Sequence, residues 1–450
     1  MSIKAKEVRE LLGKNILADG FEPILDLENS HDSWLVDQRD GSEYLDMFSM
    51  YASGCIGYNH KNIVENKDLL GKVSLFKPTL SDIYTTEYAD FMKVFNENAI
   101  PSYLKNAFFI EGGGLAVENA LKVAFDWKVR KNLEKGIKDK GYQILHFKEA
   151  FHGRTGYTLS LTNTDPIKTK FFPKFDWPRI DNPYLSFPLN EDVIISVKEQ
   201  EKNAINQIKL ALKNNPNDIA GLIIEPIQGE GGDNHFRCQF FQKLKDLAIE
   251  NEFLLIYDEV QTGIGITGKM WAHQHFIPSL CQCDPPIEKS PIPDIISFGK
   301  KTQVCGILAG DRINEVEKNV FKRSSRINST FGGNLTDMVR FKIILETIKE
   351  FDLLENAKLN GQYLLNKINE LEQEFPAFIT NSRGLGLFCA FDLPSSIERD
   401  KLVSEMYKNH LMILGCGVKS IRFRPHLTVT KAEIDFAIDV IKKSVNNILK

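Results

Sequence analysis

Between residues 108 and 300 short apolar runs alternate with stretches of helical spacing. The runs are Phe108–Ile110, Gln143–Phe147, Ala220–Ile224, Phe253–Tyr257 and Ile295–Phe298. They read as strands, and Gln200 to Asn214 reads as one of the intervening helices. This alternation predicts an α/β architecture with a mostly parallel sheet and helices on both faces. After Asn334 the pattern changes. Long amphipathic helices are expected over 335–374, a strand over Gly384–Phe391, a helix over Lys401–Asn409 and a final helix from Lys431 to Leu449. Near the start, residues 4–13 read as a short helix with Val8, Leu11 and Leu12 on one face. Trp34 to Met47 reads as a hairpin turning at Asp40-Gly41. The expected division is an N-terminal segment, 1–75, that joins a smaller α+β domain, 335–450, around a large domain, 76–334.

The chain has 450 residues, too many for one small core. With 42% hydrophobic and 26% charged residues it has the composition of a soluble globular protein. Its formal net charge of −4 gives no basic field for nucleic acid. Seven scattered cysteines make no disulfide framework and suggest a reducing, cytoplasmic setting. The first ten residues alternate charge and lack the apolar core of a signal peptide. No apolar run reaches the ~18 residues of a membrane span. Residues 277–293 form a proline-rich loop, read as an exposed insertion. Cys281 and Cys283, one residue apart, lack the partner pair that a metal site needs.

The candidate chemistry sits where strands end. Lys300 and Lys301 follow Gly299 at the end of Ile295–Phe298, the edge where α/β sheets keep their chemistry. A lysine amine there can be lowered in pKa by desolvation and can condense with a carbonyl. Asp258 and Glu259 end the run Phe253–Tyr257. An acid so placed can hold a proton on a ring nitrogen, cap a helix or bind Mg²⁺. Gly112-Gly113-Gly114 leads from a strand into a helix, a turn that lets free N–H groups approach a phosphate. No Walker lysine follows, so a nucleoside triphosphate is excluded. Phe151 offers a ring that can stack on a ligand or fill a core. Arg154 offers a fork for a carboxylate or an internal salt bridge.

Three stretches in this order, Glu225-Pro226-Ile227-Gln228-Gly229-Glu230, Asp258-Glu259-Val260-Gln261-Thr262-Gly263 and Phe298-Gly299-Lys300, resemble the class III pyridoxal-phosphate aminotransferases. The likeness runs over nearly the whole chain. Phe147 to Arg154, Phe172 to Arg179, Gly299 to Gly306, Asn328 to Asn334 and Arg422 to Pro425 are similar to the branch acting on the terminal amine of L-lysine. The resemblance implies fold type I, with a seven-stranded, mostly parallel sheet in the large domain. It implies pyridoxal 5'-phosphate as cofactor, carried by Lys300, which also moves the substrate proton. Asp258 keeps the ring nitrogen charged. Val260 and Phe151 lie on opposite faces of the ring, Gln261 reaches its phenolic oxygen, and Gly113 and Gly114 meet the phosphate. Thr330 reaches the phosphate from a neighbouring subunit, so a homodimer with shared active sites follows, and Asn328 lies in the same loop. The stretch Met47–His60, rich in small residues, is a plain connection or a wall of the pocket near the dimer interface.

The resemblance also implies how one site takes two substrates, L-lysine and 2-oxoglutarate. Glu230 pairs with Arg422 while lysine is bound and swings aside for the acceptor, and Arg154 holds the distal carboxylate of each. The alternative to this gate is a structural ion pair. The product aldehyde, 2-aminoadipate 6-semialdehyde, should cyclise with its own amine. Three other readings stay open: an aminotransferase for ornithine or 4-aminobutyrate, a class III racemase or aminomutase, and a catalytically dead homologue.

Overall fold

The computed structural model describes residues 3–75, 82–281 and 285–450. Cys283 and part of the 277–293 loop therefore lie outside the described residues, as does the point after residue 75 where the sequence reading divides the chain. The strands are β1 (Trp34–Val36), β2 (Glu43–Asp46), β3 (Asn106–Ile110), β4 (Gln143–Phe147), β5 (Arg179–Ile180), β6 (Ile219–Ile224) and β7 (Leu254–Asp258). They continue as β8 (Ile295–Phe298), β9 (Cys305–Ala309), β10 (Thr380–Leu385), β11 (Phe388–Asp392), β12 (Leu411–Met412), β13 (Leu414–Cys416) and β14 (Ser420–Phe423).

The central sheet has seven strands in the order β3-β9-β8-β7-β6-β4-β5. From β8 to β5 every pairing is parallel, and β9 runs antiparallel to both of its neighbours. All residues of β6, β7, β8 and β9 are buried. Such strands read as unbroken apolar runs because helices cover both faces of the sheet. The helix Gly113–Glu134 packs across β6, β8 and β9, and Cys238–Glu250 packs against β7. Because β7 and β8 run parallel with Asp258 beside Ser297, the ends that carry Asp258 and Lys300 lie at one edge of the sheet. That edge is where open α/β sheets bind ligands.

The remaining strands form two smaller sheets. The N-terminal hairpin β1–β2 pairs in parallel with β12, and β10-β11-β14-β13 forms an antiparallel sheet. The final helix, Lys431–Leu449, has the bounds that the sequence predicts, and the hairpin ends one residue short of Met47, at Asp46. Gly384–Phe391 does not form the single strand predicted. It is the turn of the β10–β11 hairpin, reversing at Gly386, whose φ is +57°. The apolar run on both sides of the glycine hides the reversal. The helix predicted over Gln200–Asn214 begins earlier, at Glu191, where Asn190 caps it through Val193 N. Leu11 and Leu12 are exposed rather than buried on one face of the first helix.

The cysteine expectation needs one correction. Cys238 is disulfide-bonded to Cys281, and Cys55, Cys305, Cys389 and Cys416 are free and buried. Cys281 thus meets the start of the helix Cys238–Glu250, across a sequence separation of 43 residues that spacing alone does not connect. No helix among the described residues is long and apolar enough to cross a membrane.

The β10–β11 turn also fixes the C-terminal sheet against the central one. Leu387 N donates to Ile266 O at 2.8 Å, eight residues past Asp258. The helix Leu353–Glu374 crosses the turn at Gly361, where an added Cβ would lie 2.0 Å from the Gly386 carbonyl carbon. No side chain fits between two backbones at that distance. Gly361→Ala is expected to destabilise the protein by about 1–3 kcal/mol, the scale of overpacking a filled core. A denaturation midpoint equal to wild type would show that this crossing carries no such constraint.

Candidate active site

At the carboxyl ends of β7 and β8 a cavity is lined by Gly113, Gly114, Val117, Phe151, His152, Gly153, Glu225, Asp258, Val260, Gln261 and Lys300. Seven of these were expected from the sequence: Gly113, Gly114, Phe151, Asp258, Val260, Gln261 and Lys300. Elements far apart in the chain meet here because the parallel connections return each strand to the same edge.

Lys300 and Lys301 are neighbours with different surroundings. Lys300 has a left-handed φ of 56°, lines the cavity, and has no hydrogen-bond partner for its amine among the described residues. Burial, helped by the Arg422 cation, holds its amine below the ordinary lysine value, against the pull of Glu230 and Asp258. A free amine lowered in this way is a nucleophile. Lys301 is buried away from the cavity, and its Nζ donates to Gln261 O at 2.8 Å and Ala52 O at 3.3 Å. Burial pushes its amine down to about 7. Its two carbonyl partners make it a strut, not a nucleophile.

The strut reaches an unusual turn. Ser49, Met50, Tyr51 and Ala52 all have positive φ, from 41° to 65°. Four consecutive non-glycine residues in this region are strained, by roughly 1–2 kcal/mol each. Asp46 Oδ1 accepts from Phe48 N and Ser49 N, Ser49 Oγ donates to Arg424 O at 2.6 Å, and Gln303 Nε2 donates to Ser53 O. The stretch read as a connection or pocket wall is thus anchored to the loop that carries Lys300.

Asp258 ends β7 and is buried. Its Oδ2 meets His152 Nδ1 at 2.7 Å, while Oδ1 accepts from Ser297 Oγ at 3.0 Å and Val260 N at 3.1 Å. A carboxylate can only accept, so the His152 proton lies on Nδ1 and is donated to Asp258. Glu225, one residue past β6, accepts from Phe151 N and Gly229 N. Burial pushes its carboxyl up to about 7, with His152 opposing the rise and Asp258 adding to it. Glu259 lies outside the lining. It accepts from His273, Ala272 N and Thr262 Oγ1, and so holds the following loop.

Gln261 Oε1 accepts from Arg424 Nε at 2.8 Å. Since guanidinium nitrogens only donate, the amide nitrogen of Gln261 is left as a donor. Arg424 is otherwise committed to a buried pair with Asp233. Arg422, two residues earlier on β14, is not committed in this way. Its Nη2 meets Glu230 Oε2 at 2.8 Å, while Nη1 is buried with no partner among the described residues. Burial alone would push the Glu230 carboxyl up, but Arg422 and Lys168 outweigh it and hold it below its ordinary value.

Other predicted residues stand apart from the cavity lining. Arg154 is exposed and has no ion-pair partner among the described residues, so the internal salt bridge weighed for it is not formed. Asn328 and Thr330 are exposed.

His152, Glu225, Val117 and Gly153 line the cavity without having been singled out. Glu225 carried a usable signal: like Asp258, it is an acid at the carboxyl end of an apolar strand. His152 lies between two residues already picked, Phe151 and Arg154. Nothing in the spacing tells that it reaches Asp258, 106 positions away.

The family described as aminotransferase class-III matches residues 18–445. An L-lysine-epsilon aminotransferase of Mycobacterium tuberculosis is 47% identical over 442 residues, covering 97% of this chain and 95% of its own length. One of the same name from Amycolatopsis lactamdurans is 45% identical over 448 residues, with 98% and 96% covered. A solved structure of lysine aminotransferase from M. tuberculosis, in the internal aldimine form, superposes with a TM-score of 0.94 at 46% identity, covering 99% of this chain and 100% of that one.

The two lysines should separate in stability. Lys301→Met leaves two buried carbonyls unpaired and is expected to cost about 1–3 kcal/mol. Lys300→Met removes a half-buried amine that has no hydrogen-bond partner among the described residues and should leave the stability of the cofactor-free protein unchanged or raised. Denaturant titration of both variants checks this, and an equal loss in both would remove the distinction.

Proposed function

This chain belongs to the class-III aminotransferases, and we propose that it moves the ε-amino group of L-lysine to 2-oxoglutarate, giving 2-aminoadipate 6-semialdehyde and L-glutamate. It is a pyridoxal-phosphate-dependent enzyme, and the cavity fits that group. A half-buried amine with no hydrogen-bond partner among the described residues, a donor-locked carboxylate and two glycines at a helix start face one space. An added Cβ on Gly113 or Gly114 would come within 3.2 Å of the Val260 or Thr155 side chain and crowd the cradle. The bound cofactor supplies a protonated ring that withdraws the electron pair left when a substrate carbon loses its proton.

The chain's residues divide the rest of the work. Lys300 would hold the cofactor through its amine and, once displaced by the substrate amine, take the proton from the lysine Cε. Asp258 keeps a proton on the ring nitrogen, and His152 holds Asp258 in place. Val260 and Phe151 would hold the ring between them, and the Gln261 amide would be free to donate to its phenolic oxygen. Gly113 and Gly114 open the helix whose free N–H groups receive the phosphate. Thr330 would complete that phosphate site from a neighbouring subunit of a homodimer, with Asn328 beside it. The exposure of both residues supports this role. Arg154, an exposed cation with no ion-pair partner among the described residues, suits the distal carboxylate of either substrate.

The observation that carries the choice of an ω-amine is the Glu230–Arg422 pair. A bare Arg422 beside Lys300 would draw the α-carboxylate of any amino acid and present its α-amine. With Arg422 masked, a lysine anchored at Arg154 presents its far end. The acceptor must bring its keto group and adjacent carboxylate close, and Glu230 then gives up the arginine. The same proposal places the enzyme in the cytoplasm, where the Cys238–Cys281 disulfide departs from the reduced cysteines expected there. It also keeps the division into 1–75 with 335–450, and 76–334, which the pairing of β2 with β12 supports.

A donor screen with 2-oxoglutarate, reading glutamate formation, tests the substrate. L-Lysine should give the highest kcat/KM, and faster turnover of L-ornithine or 4-aminobutyrate would replace the reading. Asp258→Asn should lower kcat by about two to three orders of magnitude, since removing a preorganised charge costs on the order of 3–4 kcal/mol; near-normal turnover with cofactor bound would sink the role. Glu230→Ala should favour glutamate over lysine as donor by roughly 1–3 kcal/mol, the scale of a charge-assisted hydrogen bond. Single-turnover spectra with each donor measure that ratio, and a wild-type ratio would leave Glu230 a structural partner.

A further inference from the structure

The gate carboxylate has two cations, not one. Lys168 Nζ meets Glu230 Oε1 at 2.6 Å, while Arg422 takes the other oxygen, Oε2. Lys168 closes a short turn, Pro166–Lys168, capped by Asp165. Its amine also donates to Thr164 Oγ1 at 3.2 Å and lies 5.4 Å from the centre of the Phe151 ring. These contacts hold the amine beside Glu230 independently of Arg422. The three side chains are graded in exposure, with Arg422 at 4%, Lys168 at 20% and Glu230 at 25%. Glu230 O accepts from Gly417 N at 2.8 Å, so its backbone is tied and opening is a side-chain movement.

We propose that Lys168 is a positioning residue that keeps Glu230 partnered when the gate opens, and so favours binding of the dicarboxylate acceptor. The inference rests on the gate reading above. When an acceptor carboxylate takes Arg422, Glu230 loses that partner while still mostly enclosed by protein. A carboxylate in that setting without a partner is costly. Lys168 removes most of this cost, because its bond to Oε1 does not depend on Arg422. Without the amine, the only ion-pair partner left to Glu230 among the described residues is Arg422, and the closed gate dominates. The donor half-reaction uses the closed gate and needs no such help. Lys168 therefore acts on one half-reaction through Glu230, with no contact to the reacting atoms.

The test uses the holoenzyme and single-turnover titrations of each half-reaction. Lys168→Met should weaken apparent 2-oxoglutarate binding roughly tenfold, a part-exposed charge-assisted bond being worth about that much. L-Lysine binding should fall by a clearly smaller factor, and Lys168→Arg should restore the acceptor. In a Glu230→Ala background, Lys168→Met should no longer change acceptor binding. If the loss persists there, Lys168 attracts the acceptor directly and the inference is overturned. An equal loss in both half-reactions, or none, also overturns it. If Glu230→Ala alone leaves the donor preference at wild type, the gate fails first, and this inference falls with it for that separate reason.

Discussion

The site is organised around a charge kept at the end of a buried strand. Asp258 closes β7, whose residues are all buried between β6 and β8. A carboxylate there is tolerated only if donors surround it. Ser297 on the neighbouring strand, the Val260 amide and His152 supply them. Each donor constrains another part of the site. Ser297 fixes the register of β7 on β8, and so the place of Lys300 three residues later. Val260 N shapes the turn that brings Val260 and Gln261 into the cavity wall. His152 ties down the loop that carries Phe151. Meeting the demands of one buried acid thus places much of the cavity wall.

Adjacent residues of the same type receive opposite tasks by the same logic. Lys300 and Lys301 differ by one position, yet one amine faces open space and the other is spent on two carbonyls. Arg422 lies on β14 and Arg424 just past its end, two residues later. Arg424 is locked by Asp233 and Gln261, while Arg422 meets an acid that is one-quarter exposed. A substrate carboxylate can compete with Glu230 for Arg422. It has no comparable opening at Arg424, where leaving would strand a buried aspartate. The arginine proposed to exchange partners therefore differs from its neighbour in the accessibility of its partner and not in its own burial, since both are buried.

Much of this was legible in the sequence. Unbroken apolar runs marked the buried strands, and the final helix was found at its true bounds and the N-terminal hairpin to within one residue, because periodicity and turn residues agree there. What was missed depends on contacts across the chain. The reversal at Gly386 sits inside an apolar run, where hydrophobicity gives the same signal for one strand as for two. Cys238 and Cys281 are brought together only by the path of an insertion. His152 and Lys168 take their meaning from partners 106 and 62 positions away. Local pattern reports local structure, and the family resemblance could carry a role only to residues whose role the family's pattern includes.

The strained turn at Ser49–Ala52 shows why this architecture needs both of its halves. Four left-handed residues persist only where the surroundings over-determine them. Their supports come from three directions: Asp46 at the end of β2, the Arg424 carbonyl just past β14, and Lys301 beside the candidate nucleophile. Asp46 belongs to the hairpin that β12 fixes in place, Arg424 to the C-terminal sheet and Lys301 to the central one. The turn is therefore a point where movement of any one of these units is felt by the other two. Lys301 Nζ also holds Gln261 O, so a shift in the turn reaches the cavity wall through one side chain. A connection without glycine in such a conformation is stable only when all three units are in register, which makes its strain a measure of how well the site is assembled.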